Sequence, residues 1–184
     1  MNLIHPFLVE ALGESVNNSC QTILGIPGTL KDKTIFPEEP CIISSIGFTG
    51  NIEGNFSIYI SDSNACRLVS KMLQTEIDET TTDVIDGIAE MINVIAGGVK
   101  MRIAQQKQTF NISIPTTIKG SRMVILASTG KAENICLHFS VENICLSVTL
   151  IYKMHEDKKA VEERKAQAHL DAMQTLNALI NNKN

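Results

Sequence analysis

The sequence predicts an α+β fold: a mostly antiparallel sheet packed against two long helices in a pseudo-duplicated helix-plus-strands arrangement, with an extra C-terminal helix. Three observations carry this. Two stretches, Pro6–Ile23 and Asp83–Gln106, repeat apolar residues at helical spacing. Around them lie short runs rich in β-branched residues, separated by turn-sized gaps that favour antiparallel pairing. Finally, Leu12-Gly13-Glu14-Ser15-Val16-Asn17 echoes Ile88-Ala89-Glu90-Met91-Ile92-Asn93 as apolar, small, Glu, any, apolar, Asn. Each copy belongs to a helix that is followed by strands, as a duplicated unit requires.

In chain order, Pro6 suits the first turn of a helix, where its missing N–H is no loss. Leu8, Leu12, Val16, Cys20 and Ile23 continue that helix, and Gly25 with Pro27 ends it. Thr29 to Pro40 reads as an exposed loop. Ile42–Phe48 and Gly54–Ile60 form a hairpin about Thr49-Gly50-Asn51. Ser61 to Asn64 offers helix caps, and Ala65, Leu68, Val69, Met72 and Leu73 make the stripe of a short amphipathic helix. The Thr80–Thr82 cluster before Asp83 marks the start of the longest helix. Phe110, Ile112 and Ile114 alternate with polar residues in a short strand that ends at Pro115. Met123–Ala127 and Asn134–Val141 read as a further strand pair. Asn143–Tyr152 is another strand, entered through a tight turn at Glu142-Asn143. The count is five or six strands. Beyond them the chain becomes charged, and Ala166, Leu170, Met173, Leu176 and Ile180 give an amphipathic helix that cannot bury its stripe alone. The expected division is a main domain at 1–153 and a helical extension at 154–184.

Composition narrows the function. Hydrophobic residues make up 43% of the chain, enough for a core, with no Trp and only 4% aromatic residues, so that core is aliphatic. A net charge of −4 without a dense Lys/Arg run argues against a nucleic-acid surface. The five cysteines are scattered, which suits small core hydrophobes in a reducing compartment. No metal-ligand spacing appears among the four histidines. Neither a signal peptide nor a membrane-spanning run is evident, so a cytoplasmic protein is expected.

The chemistry concentrates on the long helix. With Glu90 as origin, Ile85, Ile88, Ile92, Ile95 and Val99 fall on the opposite, core side. Asp86, Glu90, Asn93 and Gly97 form one outward strip, since residues three or four apart are neighbours on a helix. Gly97 and Gly98 each weaken the helix by about 1 kcal/mol. Two roles offset that: close approach of a partner's backbone, or else helix–strand packing at Gly98 or a mild local bend. A Glu-x-x-Asn pair is by itself a weak motif, but no serine-triad, metal or phosphate-loop arrangement competes with it.

Four segments supply the context: IGFTGNIEGNFSIYIS, ACRLVSKMLQTE, DVIDGIAEMINVIAGGVK and ISIPTTIKG. In this order, with the opening HPFLVEAL, they resemble the CheX members of the CheC/CheX/FliM group of chemotaxis proteins. The resemblance runs from about Ile4 to Tyr152. It implies a phosphatase that removes the phosphoryl group from the aspartate of a CheY-like response regulator. Asn93 would align the attacking water, and Glu90 would anchor to a regulator lysine. Asp86, Gly97 and Gly98 would lie at the partner surface. The resemblance also implies a homodimer, with Mg²⁺ on the regulator and no cofactor in this chain. Glu14 and Asn17 repeat the signature in the first helix and are candidates for a second site, although the Ala-Gly continuation is missing there. The alternative reading is a non-catalytic module that binds a response regulator or a flagellar-switch-like partner.

Overall fold

In a computed structural model, which describes residues 4–32, 40–121, 123 and 132–154, the elements alternate as the duplicated unit requires. Helix α1 (Ile4–Leu24) is followed by β1 (Thr29–Lys31), β2 (Cys41–Gly50) and β3 (Ile52–Ser61). After the short α2 (Asp62–Leu73), α3 (Thr82–Ala104) is followed by β4 (Phe110–Ile112), β5 (Thr116–Gly120), β6 (Glu133–Val141) and β7 (Ile144–Met154). The sheet order is β1-β6-β7-β3-β2-β4, with β5 also on β2. Exchanging β1 with β4, β6 with β2 and β7 with β3 reverses this order onto itself. The sheet therefore carries the duplication that the six-residue echo only hinted at. The chain divides into two compact units, Met1–Lys153 and Met154–Asn184. The expected tail helix lies outside the described residues, as do 124–127 of the expected strand at Met123–Ala127.

Local chemistry sets the boundaries. Gly25 closes α1 with φ +71°, a left-handed backbone that glycine adopts without strain. Ser61 caps α2 by accepting from the Asn64 N–H at 3.3 Å. Glu142, at φ 51°, makes the tight turn between β6 and β7. The β2–β3 hairpin pairs Cys41 with Ser61 through to Phe48 with Gly54.

Two sequence expectations need correcting. Thr29–Lys31 is not loop: it pairs antiparallel with β6, placing Leu30 opposite Phe139. Nor does the strand at Phe110 stop for good at Pro115. Phe48 pairs with Ile112 and Ser45 with Thr116, so β2 advances three residues while its partner advances four. Strands β4 and β5 are thus one edge strand interrupted by a bulge, where a proline is tolerated because one side of the strand has no partner among the described residues. Ser113 fastens the bulge: its N–H donates to the Gly47 carbonyl at 2.8 Å, and its Oγ accepts from the Gly47 N–H at 3.0 Å. With β4 and β5 counted separately the described sheet has seven strands, and with them joined six, against the five or six expected.

The core is aliphatic, as the composition required. Val84, Ile88, Met91, Ile92, Ile95, Val99 and Ile103 of α3 are all fully buried, and α3 packs on β2 and β3. Ile85, expected in that stripe, is only half-buried. On α2 the stripe stops before Leu73, which is exposed. Phe48, Phe56 and Phe110 cluster with centroids 4.6–6.0 Å apart. Of the five cysteines, all free, Cys20, Cys41 and Cys66 are buried and Cys136 and Cys145 half-buried. Burial pushes the Cys20 thiol up to about 11, so it stays protonated and inert at neutral pH.

Three helix contacts fix α3. A Cβ added at Gly87 would lie 2.7 Å from the Val69 side chain of α2. One added at Gly98 would lie 2.9 Å from Ser15 Oγ and 3.1 Å from Ser15 Cβ of α1. At its start, Thr80 donates to Asp62, and Lys119 of β5 donates to Asp62 Oδ2 at 2.8 Å and to Thr80 Oγ1 at 2.9 Å. Burial raises the Asp62 carboxyl, but the Lys119 and Thr80 hydrogen bonds and the Lys119 charge outweigh it, leaving the group below its ordinary value.

Two measurements follow from this packing. Gly98→Ala forces Cβ into a serine whose hydroxyl is already bonded to the Ala11 carbonyl. Overpacking of about 1–3 kcal/mol then exceeds the alanine helix gain of about 1 kcal/mol, and urea unfolding is expected to show a net loss. A carboxyl held below its ordinary value contributes stability above pH 3.8 that is lost as the pH falls through its folded pKa. Asp62→Asn should therefore flatten the acid limb of a stability-against-pH curve below that point.

Candidate functional site on the outer strip of helix α3

With its buried stripe against the sheet and two glycines against α2 and α1, α3 has only one face left for solvent. Taking Glu90 as origin, Asp83, Asp86, Asn93, Val94, Gly97 and Met101 all lie within about 60° of it around the axis. Asp86 and Glu90 are exposed and Asn93 is half-buried. None of the three side chains has a hydrogen bond or ion pair to another described residue. Two polar groups one turn apart, on a helix fixed along its opposite side, can thus meet an external molecule without first breaking an internal contact.

The two adjacent glycines differ. Nothing lies within 4 Å of a Cβ built on Gly97, so that position is open surface on the strip. Gly98 is about 100° further round the axis, where its missing side chain admits Ser15 of α1. The crossing of the helices accounts for Gly98 inside the fold. Sequence periodicity gave no sign of this, because the side chain it meets is more than eighty residues away.

The first-helix copy of the signature is in a different state. Glu14 is held by Arg102 of α3, whose Nε donates to Glu14 Oε2 at 2.8 Å. The same guanidinium donates from Nη1 to Ser15 Oγ and to the Gly98 carbonyl, both at 3.2 Å. Asn17 is exposed. The carboxylate that corresponds to Glu90 is therefore engaged within the chain, whereas Glu90 itself is free among the described residues. Arg102 was not singled out from sequence. Its role depends on the helix crossing, which no local pattern reveals.

Among the described residues, no three His, Cys, Asp or Glu side chains are grouped to hold a metal ion. No described helix is long and apolar enough to cross a membrane. What the strip offers is three exposed carboxylates, one carboxamide beside Glu90, and the open surface at Gly97. A carboxamide can accept from and donate to a single water at the same time.

Comparison with known proteins agrees with this picture. The family described as "Chemotaxis phosphatase CheX" matches residues 42–140, more than half of the chain. The chain is 29% identical over 152 residues to the "CheY-P phosphatase CheX" of Thermotoga maritima, a match that covers 74% of this chain and 96% of that one. Among solved structures, the fold is shared with the chemotaxis protein CheX of Vibrio vulnificus. That structure has a TM-score of 0.69 at 20% identity, covering 79% of this chain and 96% of the other. It is shared equally with CheX in the CheX–CheY–BeF3–Mg complex of Borrelia burgdorferi, with a TM-score of 0.67 at 21% identity, covering 79% and 97%. The matched span contains the hairpin, α2, all of α3 and the edge strand, so the helix with the free Glu90/Asn93 pair lies inside it, and the chain belongs to the CheX family of chemotaxis phosphatases.

Proposed function

We propose that this chain hydrolyses the aspartyl phosphate of a CheY-type response regulator, with Asn93 positioning the attacking water and Glu90 docking on a regulator lysine. The observation that carries this reading is the pairing of a free, exposed Glu90 with Asn93 one turn along the outer strip of a rigidly held α3. Family membership and the regulator-phosphatase relative supply its context. The protein acts in the cytoplasm as a homodimer, a setting that suits its five free thiols.

The chemistry asks little of this chain beyond geometry. An acyl phosphate has a good leaving group, and its transfer passes through a loose transition state in which the entering water needs little deprotonation. A carboxamide is no general base, but it can hold a water in line with the phosphorus–oxygen bond that breaks. The gain is the entropy of a pre-positioned nucleophile. Mg²⁺ on the regulator supplies charge neutralisation at the phosphoryl oxygens. Glu90 adds charge complementarity, which sets register and encounter rate more than the chemical step. Backing by α1, α2 and the sheet keeps Asn93 from sliding away as the partner presses on it.

The second-site candidate, Glu14 with Asn17, fits less well. Using Glu14 would mean giving up its Arg102 ion pair and loosening the α1–α3 crossing. We therefore assign the activity to α3 alone.

Two experiments test the assignment. In a phosphate-release assay with a phosphorylated CheY-type regulator, Asn93→Ala should lower the saturated rate about 100-fold, with an unchanged unfolding curve. Glu90→Ala should raise KM and weaken its salt dependence while largely sparing that rate. Gly97→Ala separates fold from docking. It fills open space, so the helix gains about 0.8–1 kcal/mol and Tm should rise by about 2–4 °C. The added methyl stands on the partner face, so KM should rise despite the greater stability.

A further inference from the structure

The outer strip of α3 is not uniform along its length. Its first half is acidic, through Asp83, Asp86 and Glu90. Its second half carries Val94, Gly97 and Met101 and no charge, because Lys100 and Arg102 lie roughly 80° and 120° away from Glu90 around the axis. Arg102 is also committed to Glu14, Ser15 and the Gly98 carbonyl. Met101 is 70% exposed. The other large exposed hydrophobics among the described residues, Leu30, Leu73, Ile114 and Ile118, sit on β1, at the end of α2, in the edge-strand bulge and on β5. A lone exposed apolar residue needs no explanation. Met101 differs because it continues the Glu90/Asn93 strip one turn beyond the open surface of Gly97. A bare glycine followed at i+4 by a long thioether makes a shallow hollow with a flexible apolar rim.

We infer that Met101 is the apolar anchor of the regulator-docking surface, seated on an uncharged, hydrophobic patch of the regulator about 16 Å along the helix axis from the contact made by Glu90. This rests on the phosphatase reading above and deepens it. With the acidic half on the basic residue beside the phosphorylated aspartate and the apolar half on a hydrophobic patch, the helix can lie on the regulator in one direction only. The reverse orientation would bury Glu90 and Asp86 against apolar surface and leave their charges unpaired. Met101 thus determines which regulators are accepted and takes no part in the chemical step. Its adaptable side chain tolerates modest changes in the shape of the patch.

The test compares wild type, Met101→Glu and Met101→Leu with a purified CheY-type regulator. Binding is measured to its beryllofluoride–Mg²⁺ form and turnover to its phosphorylated form, with the mass of each variant in solution. Position 101 is exposed, so all three should fold alike. Met101→Glu is expected to raise both Kd and KM at least about tenfold, or about 1.4 kcal/mol, with the saturated rate within about twofold (0.4 kcal/mol). Met101→Leu should restore wild-type values. Unchanged Kd and KM for Met101→Glu alongside a working wild-type enzyme would overturn the anchor role and leave the phosphatase reading standing. Weakened binding without wild-type turnover would support the anchor and sink the phosphatase. A changed solution mass for Met101→Glu would overturn it in favour of a second copy of this chain as the occupant, and absence of wild-type binding would overturn both readings.

Discussion

The crossing of α1 over α3 at Ser15 and Gly98 is the contact on which the site depends. It works by subtraction. The glycine leaves room for the Ser15 side chain where a Cβ would collide with it, and Arg102 then ties the crossing together with bonds to a carboxylate, a hydroxyl and a main-chain carbonyl. Together with Gly87 against Val69 and the fully buried Ile/Val stripe, this fixes the rotation of α3 about its own axis. Once that rotation is fixed, the face bearing Glu90 and Asn93 is no longer free to choose its direction. The role proposed for Asn93, holding one water, requires a supporting helix fixed this firmly.

The same contact distinguishes the two halves of the duplicated fold. The strand order is symmetric under exchange of the halves, and each long helix carries the Glu-x-x-Asn pattern. The crossing breaks that symmetry. On α3 the glutamate is left to solvent, while on α1 it is drawn into the ion pair that holds the helices together. One copy of the pattern thus serves as structure, and the other stays available for a partner.

Much of this could be read in the sequence. Helix ends at Gly25 and Ser61 follow local capping chemistry, α3 starts at the expected Thr80–Thr82 cluster although Thr81 makes no side-chain cap bond, and the Glu142-Asn143 turn follows from its neighbours. The α+β class came from periodicity, turn-sized gaps and the six-residue echo, and the outward placement of Glu90 from helical periodicity. The misses share a physical cause. Thr29–Lys31 has no apolar pattern of its own and becomes a strand only because β6 offers it an edge. Thr116–Gly120 was hidden behind Pro115, since a bulge depends on the register of the partner strand. Gly98 and Arg102 acquire their roles from α1, far away in the chain. Their type could be noted in sequence, but not what they touch.

In the proposed mechanism this chain positions a water at phosphorus and does not take up the phosphoryl group itself. The most direct test is to follow breakdown of a phosphorylated CheY-type regulator in water enriched in heavy oxygen, with and without this protein. The account predicts faster breakdown with the protein present, one solvent oxygen in the released phosphate, none in the regulator's aspartate and no phosphate on this chain. An unchanged rate, solvent oxygen in the aspartate, or a phosphorylated form of this protein would contradict it.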